Sequence, residues 1–141
     1  MNKISKVLTL TDVGKNNSHV SAIRIPVGIV GSDVLPTLPK DILNPSVTYT
    51  FYDENGHAWN FIYVYYNDKY HNKSKKQSHN EYRLSKVTSF INAYGLDAGD
   101  ELWFGIDEYG KRYIGFNKKA LPQPIEDGVI HIRGGWKIYE F

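Results

Sequence analysis

A mainly β domain wrapped into a closed or nearly closed barrel is the fold this sequence predicts, on three observations. Tyr, Phe and Trp make up 14% of the residues and fall in short runs broken by turn formers, a pattern of strands rather than helices. Two of the breaks, DENG (Asp53 to Gly56) and DEYG (Asp107 to Gly110), carry the Asp, Asn and Gly that tight hairpin turns require. About eight strands can be marked, too many for one half-exposed sheet in a domain of this size.

The aromatic runs VTYTFYD, AWNFIYVYY, ELWFGID, KRYIGF and WKIYEF are five of the strands. Further strands are expected at Lys6 to Leu10, Ala22 to Val27, Glu81 to Leu84 and Gly128 to Ile132. A helix follows Ser85, where Val87, Phe90, Ile91 and Tyr94 recur at i, i+3, i+4 and i+7. Ser85 suits its N-cap and Gly95 its C′ position. A second, shorter helix is expected over Leu38 to Leu43, with Pro39 in its first turn. No internal repeat or linker divides the chain, so residues 1–141 read as a single domain.

With no cysteine among 141 residues, disulfides and thiolate metal sites are excluded, and a reducing, cytoplasmic setting is expected. The N-terminal MNKISKVLTLTDVG lacks the apolar run of a signal peptide, and no stretch approaches the ~20 apolar residues of a membrane helix. The formal net charge is only +2, but it is unevenly placed. From Asn67 to Lys86 five lysines and Arg83 face two carboxylates, so this segment carries +4 and the rest of the chain −2. A local basic stripe on a nearly neutral domain suits a polyanion, although a solvated lysine-rich loop looks the same.

Signatures of catalysis are sparse. The five histidines, His19, His57, His71, His79 and His131, show no metal-ligand spacing. No glycine-rich phosphate loop or G-x-S-x-G turn occurs. No lysine has an acidic residue two positions before it, as the (D/E)-x-K of metal-dependent nucleases would demand. The chain therefore reads as a non-enzyme that needs no cofactor. Two rival readings stay open: a small metal-dependent nuclease using His71, His79 and Asn80, or a β-barrel module binding carbohydrate or protein through Trp59, Trp103 and Trp136. The plainer expectation for those tryptophans is that they fill the barrel.

Binding chemistry is concentrated in two polar segments. In GKNNSHVSAIRIP (Gly14 to Pro26) a polar run leads into an alternation that turns Arg24 away from the face of Ile23 and Ile25. In KKQSHNEYRLS (Lys75 to Ser85), Glu81, Arg83 and Ser85 share one face while Tyr82 and Leu84 take the other. Lys and Arg position phosphates, whereas Arg or Lys read guanine, Asn or Gln adenine, and Glu or Asp cytosine. The second segment holds all of these types within eleven residues. For Glu81 a cross-strand ion pair with Arg83 or a lysine is the competing reading.

LTLTDVGKNNSHVSAIRIP, FYDENGHAWNFIYVYYN and HNEYRLS together resemble the N-terminal DNA-binding domain of EcoRII-type restriction endonucleases, a member of the B-three-like superfamily shared with plant transcription factors. The likeness spans roughly Leu8 to Gly95. It implies a mainly β, seven-stranded open pseudobarrel with one or two short helices. Two arms, Lys15 to Arg24 and Asn67 to Arg83, would grip the major groove of double-stranded DNA. Carried over residue by residue, His19 and Arg24 match the first arm, and Gln77, His79, Glu81 and Arg83 the second; Asn16 and Asn17 join the base readers by chemistry. Lys15, Lys69, Lys73, Lys75 and Lys76 would hold phosphates. His79 stands where the family usually has arginine and Ser85 where it has threonine, so the preferred bases need not be the same. The likeness further implies a short CC-starting target such as CCWGG and a nuclease domain in the same parent chain beyond Phe141. The two unlike arms suit engagement by a monomer.

Overall fold

The structure is a computed structural model that describes residues 2–14, 22–68, 80–119, 129–132 and 135–139. Its strands are β1 (Asn2–Val7), β2 (Ala22–Ile25), β3 (Ser46–Tyr52), β4 (Ala58–Tyr66), β5 (Glu81–Ser85), β6 (Glu101–Ile106), β7 (Arg112–Asn117), β8 (Val129–Ile132) and β9 (Trp136–Tyr139), with helix α1 at Val87–Ala93. All nine strands form one sheet in the order β2-β5-β4-β3-β7-β6-β1-β9-β8. The expected open barrel is there, and the β8/β9 hairpin carries it beyond the seven strands implied by the resemblance. The first strand begins earlier than the anticipated Lys6 because residues 2–7 pair with β6 and Lys3 to Lys6 also with β9.

The curl brings the two ends of the sheet close together. A Cβ placed on Gly28, just past β2, would lie 2.9 Å from Ile132 Cδ1 on β8, which shows how closely the chain passes that edge. Inside sit Ile4, Phe51, Phe61, Tyr63, Leu84, Leu102, Phe104 and Ile114, all at most 1% exposed. Helix α1 closes one end by burying Val87, Phe90 and Ile91.

Both predicted hairpins form, and by one device. Asp53 Oδ1 accepts from the N–H groups of Asn55 and His57 at 2.9 Å each, and Asp107 Oδ1 accepts from Tyr109 and Lys111 at 2.9 Å each. Gly56 (φ 79°) and Gly110 (φ 83°) supply the left-handed residue that ends each turn. Asp53 does more: its Oδ2 accepts from Trp59 Nε1 at 3.0 Å and from the Tyr94 hydroxyl, which ties the turn to α1. Burial pushes its carboxyl up, but these two side-chain donors and the His57 and Asn55 amides outweigh burial and hold the pKa at about 2.

Two helical expectations need correction. Helix α1 is not capped by Ser85, which stays in β5 and pairs with Ala22 and Ile62. The chain turns instead at Lys86, whose φ of 71° is left-handed, and no side chain caps the helix start. At its C-terminus Gly95 (φ 60°) does serve as C′: the N–H of Gly95 bonds to Asn92 O at 3.2 Å and that of Leu96 to Ile91 O at 3.0 Å, a Schellman motif. Leu38 to Leu43 does not form a helix. The Asn67 side chain takes over that segment's backbone, donating to Ile42 O at 2.8 Å and accepting from Asn44 N at 2.8 Å. Tyr82 Oη accepts from Leu38 N–H at 2.9 Å. Once those groups are satisfied by side chains, helix formation offers them little more.

The tryptophans divide. Trp136 is 3% exposed in the core and Trp59 packs edge-on against Phe90. Trp103 corrects the expectation that all three fill the barrel, because it lies on the outer face, opposite Leu102 and Phe104. Its indole rests over Gly115, where a Cβ would come within 2.2 Å of the ring.

Because the folded-state pKa of Asp53 is depressed, its contribution to stability is fully present above the unfolded carboxyl pKa near 4 and is lost as pH falls through about 2. Asp53→Asn should therefore unfold more readily at neutral pH, by roughly 2–3 kcal/mol. Between pH 4 and 2 the gap to the parent protein should narrow, as read by urea titrations across that range.

Candidate nucleic-acid interface

The site is set out by β5, which lies between β2 and β4. Its register places Arg24 opposite Arg83, Ile25 opposite Tyr82, and Tyr66 opposite Glu81. Tyr82 and Leu84 go inward, where Tyr82 stacks on Tyr65 with ring centroids 4.2 Å apart and planes at 9°. Glu81 and Arg83 are thereby forced outward. Arg24 likewise faces out between the buried Ile23 and Ile25.

These outward side chains form one charged cluster. Glu81 Oε1 accepts from Arg83 Nε at 3.2 Å and lies 3.0 Å from the same guanidinium's second nitrogen, while Oε2 lies 3.3 Å from Arg24 Nε. The competing reading of Glu81 as an ion-pair partner therefore holds, and it extends to Arg24. Arg24 is 71% exposed and Arg83 38%, against 20% for Glu81, so the guanidiniums face solvent over a half-covered carboxylate. Beside them opens a hollow of about 390 Å³ bordered by Val27, Thr37, Lys40 and Asn80. Among the described residues, Arg24 and Lys40 line it with one carboxylate, Glu81, so its described charge is not chiefly acidic.

The two polar segments meet this surface at opposite ends. Residues 15–21 lead into Ala22, which pairs with Ser85, whereas residues 69–79 lead through Asn80 into Glu81, next to the end of β2. At ~3.4 Å per residue the ladder between the two roots is about 15 Å long, somewhat more than the ~12 Å width of a DNA major groove. Of the sequence-predicted residues, Arg24, Glu81 and Arg83 are brought together. Lys15, Asn16, Asn17, His19, Lys69, Lys73, Lys75, Lys76, Gln77 and His79 lie outside the described residues, as does His71.

The sequence reading missed the rest of this face. The register continues it onto β4, adding Tyr66, 40% exposed and opposite Glu81; the hydrogen-bonded pair Thr50 and Asn60, 2.6 Å apart, shares the outer face but lies at the far end of β4. Period-two alternation along AWNFIYVYY would have found them, since Asn60, Ile62, Val64 and Tyr66 oppose Phe61, Tyr63 and Tyr65.

Several chains of known structure share this architecture. The DNA complex of Arabidopsis FUS3 superposes with a TM-score of 0.60 at 24% identity, covering 82% of this chain and 96% of that one. The chain folds as a B-three-like pseudobarrel. The DNA complex of the Arabidopsis thaliana transcription factor LEC2 superposes on the pseudobarrel with a TM-score of 0.58 at 18% identity, covering 85% of this chain and 97% of that one. A hypothetical Arabidopsis thaliana protein does so at 0.50 and 16%, covering 84% and 92%. No protein-family model and no curated protein matches the sequence. Among the described residues, no helix of the pseudobarrel is long and apolar enough to cross a membrane.

The cluster is partly solvated, so it adds little to folding. Glu81→Gln should change unfolding free energy by less than about 1 kcal/mol, while amide exchange in β2 and β5 stays as in the parent. A larger loss would make Glu81 a structural strut rather than a surface group.

Proposed function

We propose that this pseudobarrel is a sequence-specific recognition module for double-stranded DNA that applies the outer face of β2, β5 and β4 to the major groove. The observation that carries this reading is the Arg24–Glu81–Arg83 cluster, displayed midway between the roots of two polar segments about one groove width apart. Guanidiniums are the preferred readers of guanine O6 and N7, and a carboxylate that fixes their orientation lowers the entropy lost on binding. Lys15, Lys69, Lys73, Lys75 and Lys76 would neutralise phosphates, with Asn16, Asn17, His19, Gln77 and His79 completing the base contacts. FUS3 and LEC2, which share the fold, were solved as DNA complexes.

The finer reading rests on the sequence resemblance to EcoRII-type enzymes. In it the domain is the target- or effector-binding part of a type II restriction endonuclease and has no catalytic centre of its own. It would act in the cytoplasm as a monomer with a nuclease domain in the same parent chain, on a short CC-starting site such as CCWGG.

Selection of bound duplexes from random DNA should return one short consensus. On that consensus Arg83→Ala should cost about 1–3 kcal/mol and relax the preference at one base pair. Lys75→Ala should weaken all sequences alike and reduce the salt slope by about one. Uniform loss in both variants would reject the assignment of Arg83 as a base reader, and plasmid cleavage by the purified chain with Mg²⁺ would reject the non-catalytic reading.

A further inference from the structure

A second concave site lies outside the proposed DNA face. Strand β7 pairs with β6 along its whole length but with β3 only at Arg112 and Tyr113, because β3 ends at Tyr52 and turns into the Asp53 hairpin. Beyond Tyr113 the two strands part, and the seam between them opens into a cavity of about 410 Å³. Its lining residue Tyr52 lies opposite Ala58 at the start of β4, whereas Glu81 and Tyr66 lie at the other end of that nine-residue strand, about 27 Å along it.

The walls of this cavity are mainly aromatic and acidic. Tyr52, Tyr94, Trp103 and Tyr113 present rings to it, Asp53 and Glu54 present carboxylates, Ile114, Phe116 and Asn117 complete the wall from β7, and among the described residues no basic side chain lines it. Asp53 stays ionised through the physiological range, as its depressed pKa shows, and both its oxygens already have donors. It therefore contributes charge rather than an open acceptor. Glu54 is exposed at the rim and free to turn.

Cations already gather on these rings. Lys111 Nζ lies 4.6 Å from the Tyr52 centroid and 5.5 Å from that of Tyr113, and Lys3 Nζ lies 5.1 Å from the Trp103 ring. Strand β7 adds a backbone acceptor. The Asp107–Lys111 pair is hydrogen-bonded, so strict alternation makes Leu102–Phe116 a non-bonded pair and turns the N–H and C=O of Phe116 away from β6, toward the seam. An occupant suited to all of this is planar, cationic and rich in donors: it stacks on the rings and donates to Glu54 and Phe116 O.

We propose that the seam cavity between β3 and β7 binds the guanidinium of an arginine side chain presented by a partner polypeptide. Charge complementarity favours that occupant: among the described residues the charged side chains lining the cavity, Asp53 and Glu54, are both acidic, and the Tyr52, Tyr113 and Trp103 rings already attract Lys111 and Lys3 from beside it. The distance from β5 leaves the cavity accessible while the DNA face is occupied. The pocket would thus let a protein partner dock on a DNA-bound module, and the inference does not require the DNA reading to hold.

The probe is acetyl-Gly-Arg-Gly-amide, with the citrulline peptide as its neutral isostere, titrated into the ¹⁵N-labelled chain. Saturable shifts are expected at the Trp103 indole N–H and the Phe116 amide, at least about tenfold weaker with citrulline. Glu54→Gln should weaken the arginine peptide several-fold while leaving the free-protein spectrum outside the hairpin unchanged. Gly115→Ala, which pushes the indole from its seat, should abolish binding. Shifts that fail to saturate, equal affinity for citrulline, or an unaltered affinity in Glu54→Gln would each overturn the proposal. Random-sequence DNA added in excess should not displace the peptide, and displacement would count against a site separate from the DNA face.

Discussion

Strand β5 is held on both sides from Tyr82 to Ser85, by β2 on one edge and β4 on the other. That double ladder fixes its register, and a slip of one residue would bring the charged Glu81 and Arg83 into the core. The penalty for burying those charges, together with the loss of the Tyr82–Tyr65 stack, makes the outward position of the cluster a consequence of core packing. The surface chemistry of this protein is thus enforced from within. The aromatic interior chooses the register, and the register chooses which charges meet.

Around this frame the loops are tied down by a few well-satisfied polar groups. Arg112 donates from Nε to Val34 O at 3.0 Å and lies 3.8 Å above the Tyr49 ring, which pins the long segment between β2 and β3 to the barrel. Asp100, 1% exposed, accepts from Asp97 N–H at 2.7 Å and Lys119 N–H at 2.8 Å, while Lys118 pairs with it at 3.1 Å. Burial alone would raise the Asp100 carboxyl, but these donors and the lysine hold it below its ordinary range. Each of these groups joins segments distant in sequence, as Asn67 does for residues 40–44. Irregular backbone is tolerated here because side chains complete its hydrogen bonds.

The two concave sites differ in the charged side chains that line them, and the difference follows from topology. The hairpin tips at one end of the barrel are closed by aspartates because an Asx-type turn needs a short acceptor there. That same need gathers negative charge beside the seam. At the other end the outward positions of β2 and β5 carry arginines, and the lysine-rich stretch joins β4 to β5. On the two proposed readings, a polyanion and a cationic partner would be sorted to opposite ends of one small domain, which would limit their electrostatic interference.

Most strands, both hairpins and the body of α1 were legible in the sequence, because alternation, turn residues and the Val87–Tyr94 periodicity are local signals. The outward face of Arg24, Glu81 and Arg83 was legible for the same reason. What the sequence could not supply was partnership. The Ser85 cap failed because β5 keeps Ser85 in two ladders, and the Leu38–Leu43 helix failed because Asn67 and Tyr82, far along the chain, take over its backbone groups. The seat of the Trp103 indole against β7 depends on the missing side chain of Gly115 on that neighbouring strand, and the contribution of Tyr66 to the charged face depends on pairing with Glu81. By itself the sequence determined the alternating pattern of each strand and hence which residues face out. Only the tertiary structure decided which of those faces lie side by side, because strand register and sheet order are set by packing between segments that no local spacing encodes.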